Sequence, residues 1–200
     1  MERFRTLSLI DPDTRRRAET TMSFAQGRFH VEPYESPAEF FADWPFDSVL
    51  LVADNDDCIA SVLEGLRARG AWLPIIGFSD VVDPLRSARV MFDGLVAYIP
   101  APVSRDLVDA FLSSTAQELA ALTRRKNRAA AARARLSGLT RREAEVLSGV
   151  AEGLTNKAIA DRLGISHRTI EIHRANLLRK LDTNSSYQAM RAAIEADLLS

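Results

Sequence analysis

A glycine-containing turn between two short helical patterns is the feature that most constrains the fold of this chain. Thr155 precedes the first pattern, over 156–163, and Ser166 precedes the second, over 167–181. Thr and Ser are favoured N-cap residues, and Gly164 supplies the left-handed conformation in which helices commonly end. Two helices at this spacing predict a helix-turn-helix, in which the first helix braces the second for entry into the major groove of DNA.

Helical signals also flank this pair. The segment Thr140-Arg-Arg-Glu143 is a capping box, and it predicts a helix that Gly153 closes. Ser185 or Ser186 is predicted to cap a last helix. The region 138–200 is therefore predicted to be all-helical.

The helix that starts after Ser166 has two different faces at 100° per residue. Ile170, Leu177 and Leu181 fall together and are expected to face the core. The opposite face mixes cations, an amide and small or apolar groups, a combination that reads base-pair edges in the major groove. An ordinary solvated face is the alternative. The members of this opposite face are Arg168, Ile172, Ala175, Asn176 and Arg179, with Glu171 at one margin.

Residues at the two helix starts are predicted to bind phosphates, which fix position rather than sequence. The donors at the helix starts are hydroxyl, amide or cationic groups. His173 and Lys180, further along the second helix, are also predicted to bind DNA. Arg174 lies about 40° from the centre of the buried face, so its head group is expected at the DNA or at an acidic neighbour. It is not predicted to read a base. The residues assigned to phosphates are Thr155, Asn156, Lys157, Arg168 and Thr169.

The first half of the chain alternates short apolar runs with helical patterns. Continuous apolar runs are typical of strands in a parallel sheet covered on both faces, and five such units predict a doubly wound α/β domain. The predicted strands are Leu7–Ile10, Phe29–Val31 (the weakest), Val49–Ala53, Leu73–Phe78 and Leu95–Ile99; the predicted helices are about Thr14–Gln26, Pro37–Ala42, Asp57–Arg69, Pro84–Phe92 and one from Ser104 onward.

The stretch from Ser104 to about Arg135 contains neither Pro nor Gly and becomes rich in Ala and Arg, which are strong helix formers. It predicts one long helix that leaves the first domain and becomes the linker. A short helix followed by a disordered basic linker is the alternative. The predicted division is an α/β domain over 1–115, a helical linker over 116–137 and a helical domain over 138–200.

Charge is divided unevenly along the chain. Residues 124–200 hold 15 of the 26 Lys and Arg but only 8 of the 27 Asp and Glu, so residues 1–123 are acidic although the net charge is −1. This division indicates that the C-terminal part meets a polyanion. A single Cys58 and the lack of a long apolar run argue against a disulfide framework, a Cys-based zinc finger, a signal peptide and a membrane span. A cytoplasmic location is expected.

The helical region resembles LuxR-type DNA-binding domains, most of all those of the FixJ branch of response regulators. The resemblance rests on residues 139–143 (LTRRE), 153–160 (GLTNKAIA) and 163–176 (LGISHRTIEIHRAN). It implies a DNA-reading helix and a dimer contact through a final helix over Ser186–Leu198. The residues that it places against the bases are Glu171, Ile172, Ala175 and Asn176.

The α/β half resembles a phosphoacceptor receiver domain over about residues 5–115. That chemistry requires an Asp nucleophile, acids that bind Mg²⁺, and a hydroxyl and a Lys that bind phosphoryl oxygens. Asp54 ends the third strand and is the candidate phosphoacceptor, although Val52 also fits that register. The remnants of the pocket are Asp11 and Asp13 on either side of Pro12, where the family has adjacent acids, Ser79 at the hydroxyl position and Ala101 at the Lys position.

The missing Lys and the missing acid predict a pseudo-receiver, which is a folded dimerisation or partner-binding module with little or no phosphotransfer. At most a weak Mg²⁺ interaction is expected at Asp11 and Asp54, and no other cofactor. Tyr98, at the family's switch position, is expected to be locked, to report partner binding, or simply to pack on its strand.

These features favour a sequence-specific DNA-binding transcription regulator. The expected partners are double-stranded DNA, a second copy of the chain and, as a further candidate, RNA polymerase. The alternative is an adaptor that docks a polymerase subunit or a partner regulator. The chain is not predicted to be an enzyme because it contains no complete catalytic set.

Overall fold

The computed structural model describes residues 6–45, 47–55 and 57–196. The chain forms two compact units, Met1–Arg124 and Arg125–Ser200. In the first unit strands and helices alternate, as the sequence predicts. The elements are β1 (Thr6–Ile10), α1 (Thr14–Phe24), β2 (His30–Tyr34), α2 (Pro37–Asp43), β3 (Ser48–Ala53), α3 (Cys58–Ala68), β4 (Ile75–Ser79), α4 (Pro84–Asp93), β5 (Ala97–Pro100), α5 (Arg105–Ser114) and α6 (Ala116–Leu136).

The five strands form one parallel sheet in the order β2-β1-β3-β4-β5. Successive residues of a strand point to opposite faces. On β3, Val49 and Leu51 belong to the core beneath α1 and α5, whereas Leu50 and Val52 belong to the core beneath α2, α3 and α4. Helices therefore cover both faces, and the predicted doubly wound α/β fold is confirmed.

Two of the predicted strands begin too early. β4 starts at Ile75 rather than Leu73, and β5 starts at Ala97 rather than Leu95. Leu73 and Leu95 are buried in the core beneath α2, α3 and α4, but they precede the hydrogen-bonded ladder. Their apolar character reflects packing in a loop, which periodicity does not distinguish from a strand.

The prediction of one unbroken helix from Ser104 to Arg135 is wrong. α5 ends at Ser114 and α6 starts at Ala116, because Thr115 has φ −112° and ψ 12°. The Thr115 N–H still donates to Phe111 O at 3.0 Å, and the Thr115 hydroxyl donates to the same oxygen at 2.7 Å, so the break lies in the torsion angles of Thr115 rather than in a lost hydrogen bond.

The boundary between the two compact units falls within α6, between Arg124 and Arg125. Leu119 is buried in the first unit's core, whereas Ala132 and Leu136 are buried in the second unit's core. The residues predicted as a separate linker therefore divide between the units, and the exact domain limits remain a prediction.

The second unit is all-helical, as predicted. α7 (Arg141–Ala151), α8 (Asn156–Leu163), α9 (His167–Lys180) and α10 (Ser186–Glu195) follow α6. The predicted capping box is present at Thr140 and Glu143. Leu198, which the resemblance assigns to the last helix, lies outside the described residues.

Candidate nucleic-acid interface

The turn between α8 and α9 has the predicted conformation. Gly164 adopts φ 65°, and its N–H donates to Ala160 O, which ends α8. The Thr155 hydroxyl accepts a backbone N–H at 3.2 Å at the start of α8. The Ser166 hydroxyl accepts the N–H of Thr169 at 3.1 Å at the start of α9. Each helix therefore begins at a capped residue.

A buried apolar core holds α9 in place. Ile170, Leu177 and Leu181 are 0%, 1% and 5% exposed, so the predicted inward face of α9 is confirmed. α7 approaches α8 closely at Gly149, where an added Cβ would lie 2.7 Å from Ile159. A larger residue would fit there only if the Ile159 side chain or one of the two helices moved.

An ion pair fastens the end of α9 to the start of α7. Lys180 Nζ donates to Glu143 Oε2 at 2.7 Å and to Gly138 O at 3.2 Å. Burial of Glu143 opposes its ionisation, but the bonds from Lys180 and Thr140 outweigh burial and lower its pKa to about 2. Lys180, predicted to bind DNA, is thus occupied within the protein.

The other side of α9 exposes a chemically mixed face. Arg168, Glu171, Ile172, Ala175 and Arg179 are exposed, and Ile172 keeps 53% of its surface open. A large β-branched residue at that exposure makes no contribution to this unit's own core. Asn176 beside them is half-buried and accepts a hydrogen bond from Arg179 Nη2 at 3.1 Å.

The helix starts hold a second set of predicted residues. Lys157 and Arg168 are exposed, and neither forms an ion pair with another residue that the structure describes. The Thr169 hydroxyl lies 2.7 Å from Ser166 Oγ, so it serves the cap. His173 is half-buried on α9. Two cations at the N-termini of adjacent helices create a place for an anion.

The sequence predicts either DNA or an acidic neighbour as the partner of the Arg174 head group. In the structure, its described partners are neutral. Its guanidinium group donates to Asn156 Oδ1 at 2.6 Å and to Ser186 Oγ at 2.6 Å. Asn156 is the first residue of α8 and Ser186 is the first residue of α10. The side chain therefore connects three helices.

In the first unit, the remnants of the receiver pocket are already paired. Asp11 is fully buried, and Arg16 of α1 binds both of its carboxylate oxygens at 2.7 and 2.9 Å. Arg16 also donates to Asp80 after β4. Asp13 caps α1 by accepting the N–H of Arg16.

Asp54 follows β3 and is bound from two elements, whereas Val52 is buried inside the strand. Arg86 of α4 donates to its two oxygens at 2.7 and 3.0 Å, and the Tyr98 hydroxyl donates to Oδ2 at 2.7 Å. The bonds from Arg86 and then Tyr98 lower the pKa of Asp54 against the opposing effect of burial. Tyr98 is tethered rather than merely packed.

These residues do not fit a Mg²⁺ site. The carboxylates of Asp11 and Asp54 are each held by a guanidinium group, and Pro12 stands between Asp11 and Asp13. Mg²⁺ requires oxygen ligands in a near-octahedral arrangement. Within 6–45, 47–55 and 57–196, no three His, Cys, Asp or Glu side chains are grouped to hold a metal ion. Ser79 accepts the N–H of Val81, and Ala101 brings no cation.

Comparison with known proteins agrees with this architecture. Residues 137–193 match the family described as bacterial regulatory proteins, luxR family. The transcriptional regulatory protein FixJ of Rhizobium meliloti (strain 1021) is 31% identical over 193 residues, which cover 94% of this chain and 95% of that protein. The chain belongs to the FixJ-type response regulators of the LuxR family. A FixJ-type response regulator is a transcription regulator, and its luxR-family domain is the DNA-binding part.

Two further proteins resemble this FixJ-type regulator over most of their length. The C4-dicarboxylate transport transcriptional regulatory protein DctR of Rhodobacter capsulatus is 31% identical over 183 residues, covering 88% of this chain and 92% of that protein. Full-length FixJ from B. japonicum, a solved structure, is 24% identical with a TM-score of 0.51 and 98% of each chain covered. The structural likeness supports the fold. None of the helices that the structure describes has the length and apolar composition needed to cross a bilayer.

The sequence did not predict Arg16 and Arg86 as site residues of the FixJ-type regulator, and it did not predict the partners of Arg174. Arg16 lies five residues after Asp11, in the first turn of α1, so this pair could have been predicted from the local sequence. Arg86 is separated from Asp54 by 32 residues, and no local pattern links them. Arg174 was recognised as poorly placed for base reading, but its partners on α8 and α10 depend on the tertiary fold.

Proposed function

We propose that this FixJ-type regulator binds specific sites in double-stranded DNA, with α9 in the major groove. The observation that carries the proposal is the exposed face of α9, which combines Glu171, Ile172, Ala175 and Arg179 on a helix held by a buried core. Arg reads guanine, Glu reads the cytosine amino group, and apolar side chains contact the thymine methyl group. A rigid support for such a face is what base recognition requires.

Phosphate contacts are assigned to the starts of α8 and α9. Lys157 and Arg168 are exposed there without an ion-pair partner among the described residues, so no internal bond has to break when they bind DNA. Thr155, Asn156 and Thr169 add neutral groups at the same helix starts. Their contacts position the protein without reading sequence.

The proposed assembly on DNA is a dimer that meets through α10. Tyr187 and Ile194 are 66% and 57% exposed, and they lie two turns apart on the same side of this helix. A second copy of α10 would cover both apolar side chains. A two-fold arrangement would place two α9 helices on successive half-sites.

The first unit is proposed to act without standard Asp phosphorylation. Support comes from the guanidinium groups of Arg16 and Arg86, which occupy the carboxylates of Asp11 and Asp54. Ala101 at the position of the family's Lys removes the cation that would bind a phosphoryl group.

A binding experiment with fragmented genomic DNA tests the proposed function. Selected fragments should bind the full chain at low salt, and the affinity should fall steeply as salt rises because phosphate contacts release counterions. Lys157→Ala and Arg168→Ala should each reduce the slope of log affinity against log salt by about 0.9. Arg162→Ala is the matched control, because Arg162 lies on α8 but is bound to Glu152.

Absence of duplex binding at low salt would reject this function. The adaptor hypothesis, in which the chain docks a polymerase subunit or a partner regulator, would then take its place.

A further inference from the structure

The guanidinium group of Arg174 is the point at which α8, α9 and α10 meet. Nη1 donates to Asn156 Oδ1 at 2.6 Å, while Nη2 and Nε donate to Ser186 Oγ at 2.6 and 3.2 Å. Arg174 lies mid-way along α9, and its contacts are partly buried. One side chain thus sets the starts of two helices relative to the DNA-reading helix.

This contact fixes the orientation of the Asn156 amide. A guanidinium group has only donors, so the amide oxygen of Asn156 must face it. The amide is planar, and its NH₂ group is therefore turned away from Arg174. Asn156 is the first residue of α8, where the helix N-terminus favours an anion. The NH₂ group of Asn156 is a preset neutral donor at that position.

Arg174 is poorly placed to bind a phosphate itself. Three of its five N–H groups are engaged by Asn156 and Ser186. Lys157 and Arg168, in contrast, are exposed and have no ion-pair partner within the described ranges. The cation of Arg174 acts inside the protein, whereas those two cations face outward.

We propose that Arg174 is a positioning residue of the DNA interface, which holds the Asn156 amide so that its NH₂ group donates to a backbone phosphate. Ser186 holds the other side of the guanidinium group and keeps it in place. This role rests on the proposed function, because it requires a DNA phosphate as the acceptor. This role predicts that Arg174 raises the affinity for DNA without a direct contact between its cation and a phosphate.

The salt dependence of DNA binding separates the two roles. Affinity for a selected genomic duplex is measured across a salt series for the full chain, for Arg174→Met, for Asn156→Ala and for the double variant. Each single variant is expected to bind roughly tenfold more weakly, and the double variant no more weakly than either single one. The salt slope is expected to equal that of the wild type, because the lost donor is neutral.

Two results would overturn the positioning role. A slope reduced by about 0.9 in Arg174→Met would show that Arg174 itself neutralises a phosphate. Additive losses in the double variant would show that Arg174 and Asn156 act independently.

A second variant guards against loss of folding. Asn156→Asp keeps an acceptor for Arg174 and suits a helix start, but it replaces the NH₂ donor by a carboxylate oxygen. Its thermal unfolding should match that of the wild type while its affinity falls by more than that of Asn156→Ala. Wild-type affinity in Asn156→Asp would overturn the role. Failure of the wild type to bind any duplex would instead reject the proposed function, and the positioning role with it.

Discussion

Arg86 holds the carboxylate of Asp54 through two hydrogen bonds, of 2.7 and 3.0 Å, from the first turn of α4. The same carboxylate accepts the hydroxyl of Tyr98 from β5. The acid that follows β3 is therefore tied to two elements that lie 32 and 44 residues further along the chain. A phosphoryl group on either oxygen of Asp54 would have to displace a hydrogen bond from Arg86, and one on Oδ2 would displace that from Tyr98 as well.

We expect acetyl phosphate or beryllofluoride, each with Mg²⁺, to leave the first unit of the wild-type protein unaltered. Arg86 and Arg16 already neutralise the two acids, and Ala101 offers no cation to the phosphoryl oxygens. Intact-mass measurement and amide NMR shifts are the readouts. Arg86→Ala, which removes the guanidinium group from Asp54 but leaves the Tyr98 hydroxyl, is the comparison variant. A stoichiometric adduct on wild-type Asp54 would show that the pocket is functional.

Substitution of Glu171 or Asn176 should change the preferred DNA site. Both residues lie on or beside the exposed face of α9, and a good bidentate contact with a base is worth about 1–3 kcal/mol. Selection from random duplexes with Glu171→Ala and Asn176→Ala would reveal the change. Arg162→Ala, on α8, should keep the wild-type preference. An unchanged site for both α9 variants would mean that this face does not read sequence.

The Glu143–Lys180 pair should make the second unit sensitive to acid. The pKa of Glu143 in the folded protein is about 2, which is below its ordinary value of 4.5. The ionised Glu143 therefore contributes its full stabilisation above pH 4.5, and this contribution is lost as the pH falls towards 2. Glu143→Gln should lower the free energy of unfolding near neutral pH by roughly 1–3 kcal/mol and flatten this pH dependence. Urea unfolding at several pH values measures both effects.

Glu145→Gln is the control for this experiment, because Glu145 lies on the same helix and pairs with Arg141 and Arg142 at the surface. Surface pairs contribute little. An equal effect of the two substitutions would remove the special role given to the Glu143–Lys180 pair.

Gly149→Ala should destabilise the second unit, although alanine is the better helix former. The added Cβ would lie 2.7 Å from Ile159, and overpacking of this kind costs about 1–3 kcal/mol. Amide hydrogen exchange in α7 and α8 is the measurement. Gly138→Ala is the matched control, because the nearest atom to its added Cβ is 3.7 Å away. Protection that stays at the wild-type level in Gly149→Ala would contradict the close helix approach.

The parts of the fold that depend on local chemistry could be predicted from the sequence. The caps at Thr140, Thr155 and Ser166 and the turn at Gly164 each act within a few residues, and the structure has all four. The buried face of α9 followed from helical periodicity. The break at Thr115 could not be predicted, because no proline or glycine marks it and a second threonine, Thr123, lies within α6 without interrupting the helix.

Long-range pairs could not be predicted in this way. The assignment of Lys180 to DNA remains a prediction, but its ion pair with Glu143, which is 37 residues away on α7, could not be predicted from the sequence. The two arginines of the pocket were missed for the same reason. A charge is visible in a sequence, but the opposite charge that neutralises it depends on the tertiary fold.

The burial of Ala132 and Leu136 has a practical consequence for dissecting this regulator. A fragment that starts at Gly138 would lack both side chains, and it would also lose the bond from Arg133 Nε to the carbonyl oxygen of Ala196. The smallest autonomous DNA-binding fragment should therefore begin upstream of Ala132. A fragment that begins where the luxR-family match begins, at residue 137, would leave part of the buried core of the remaining helices uncovered.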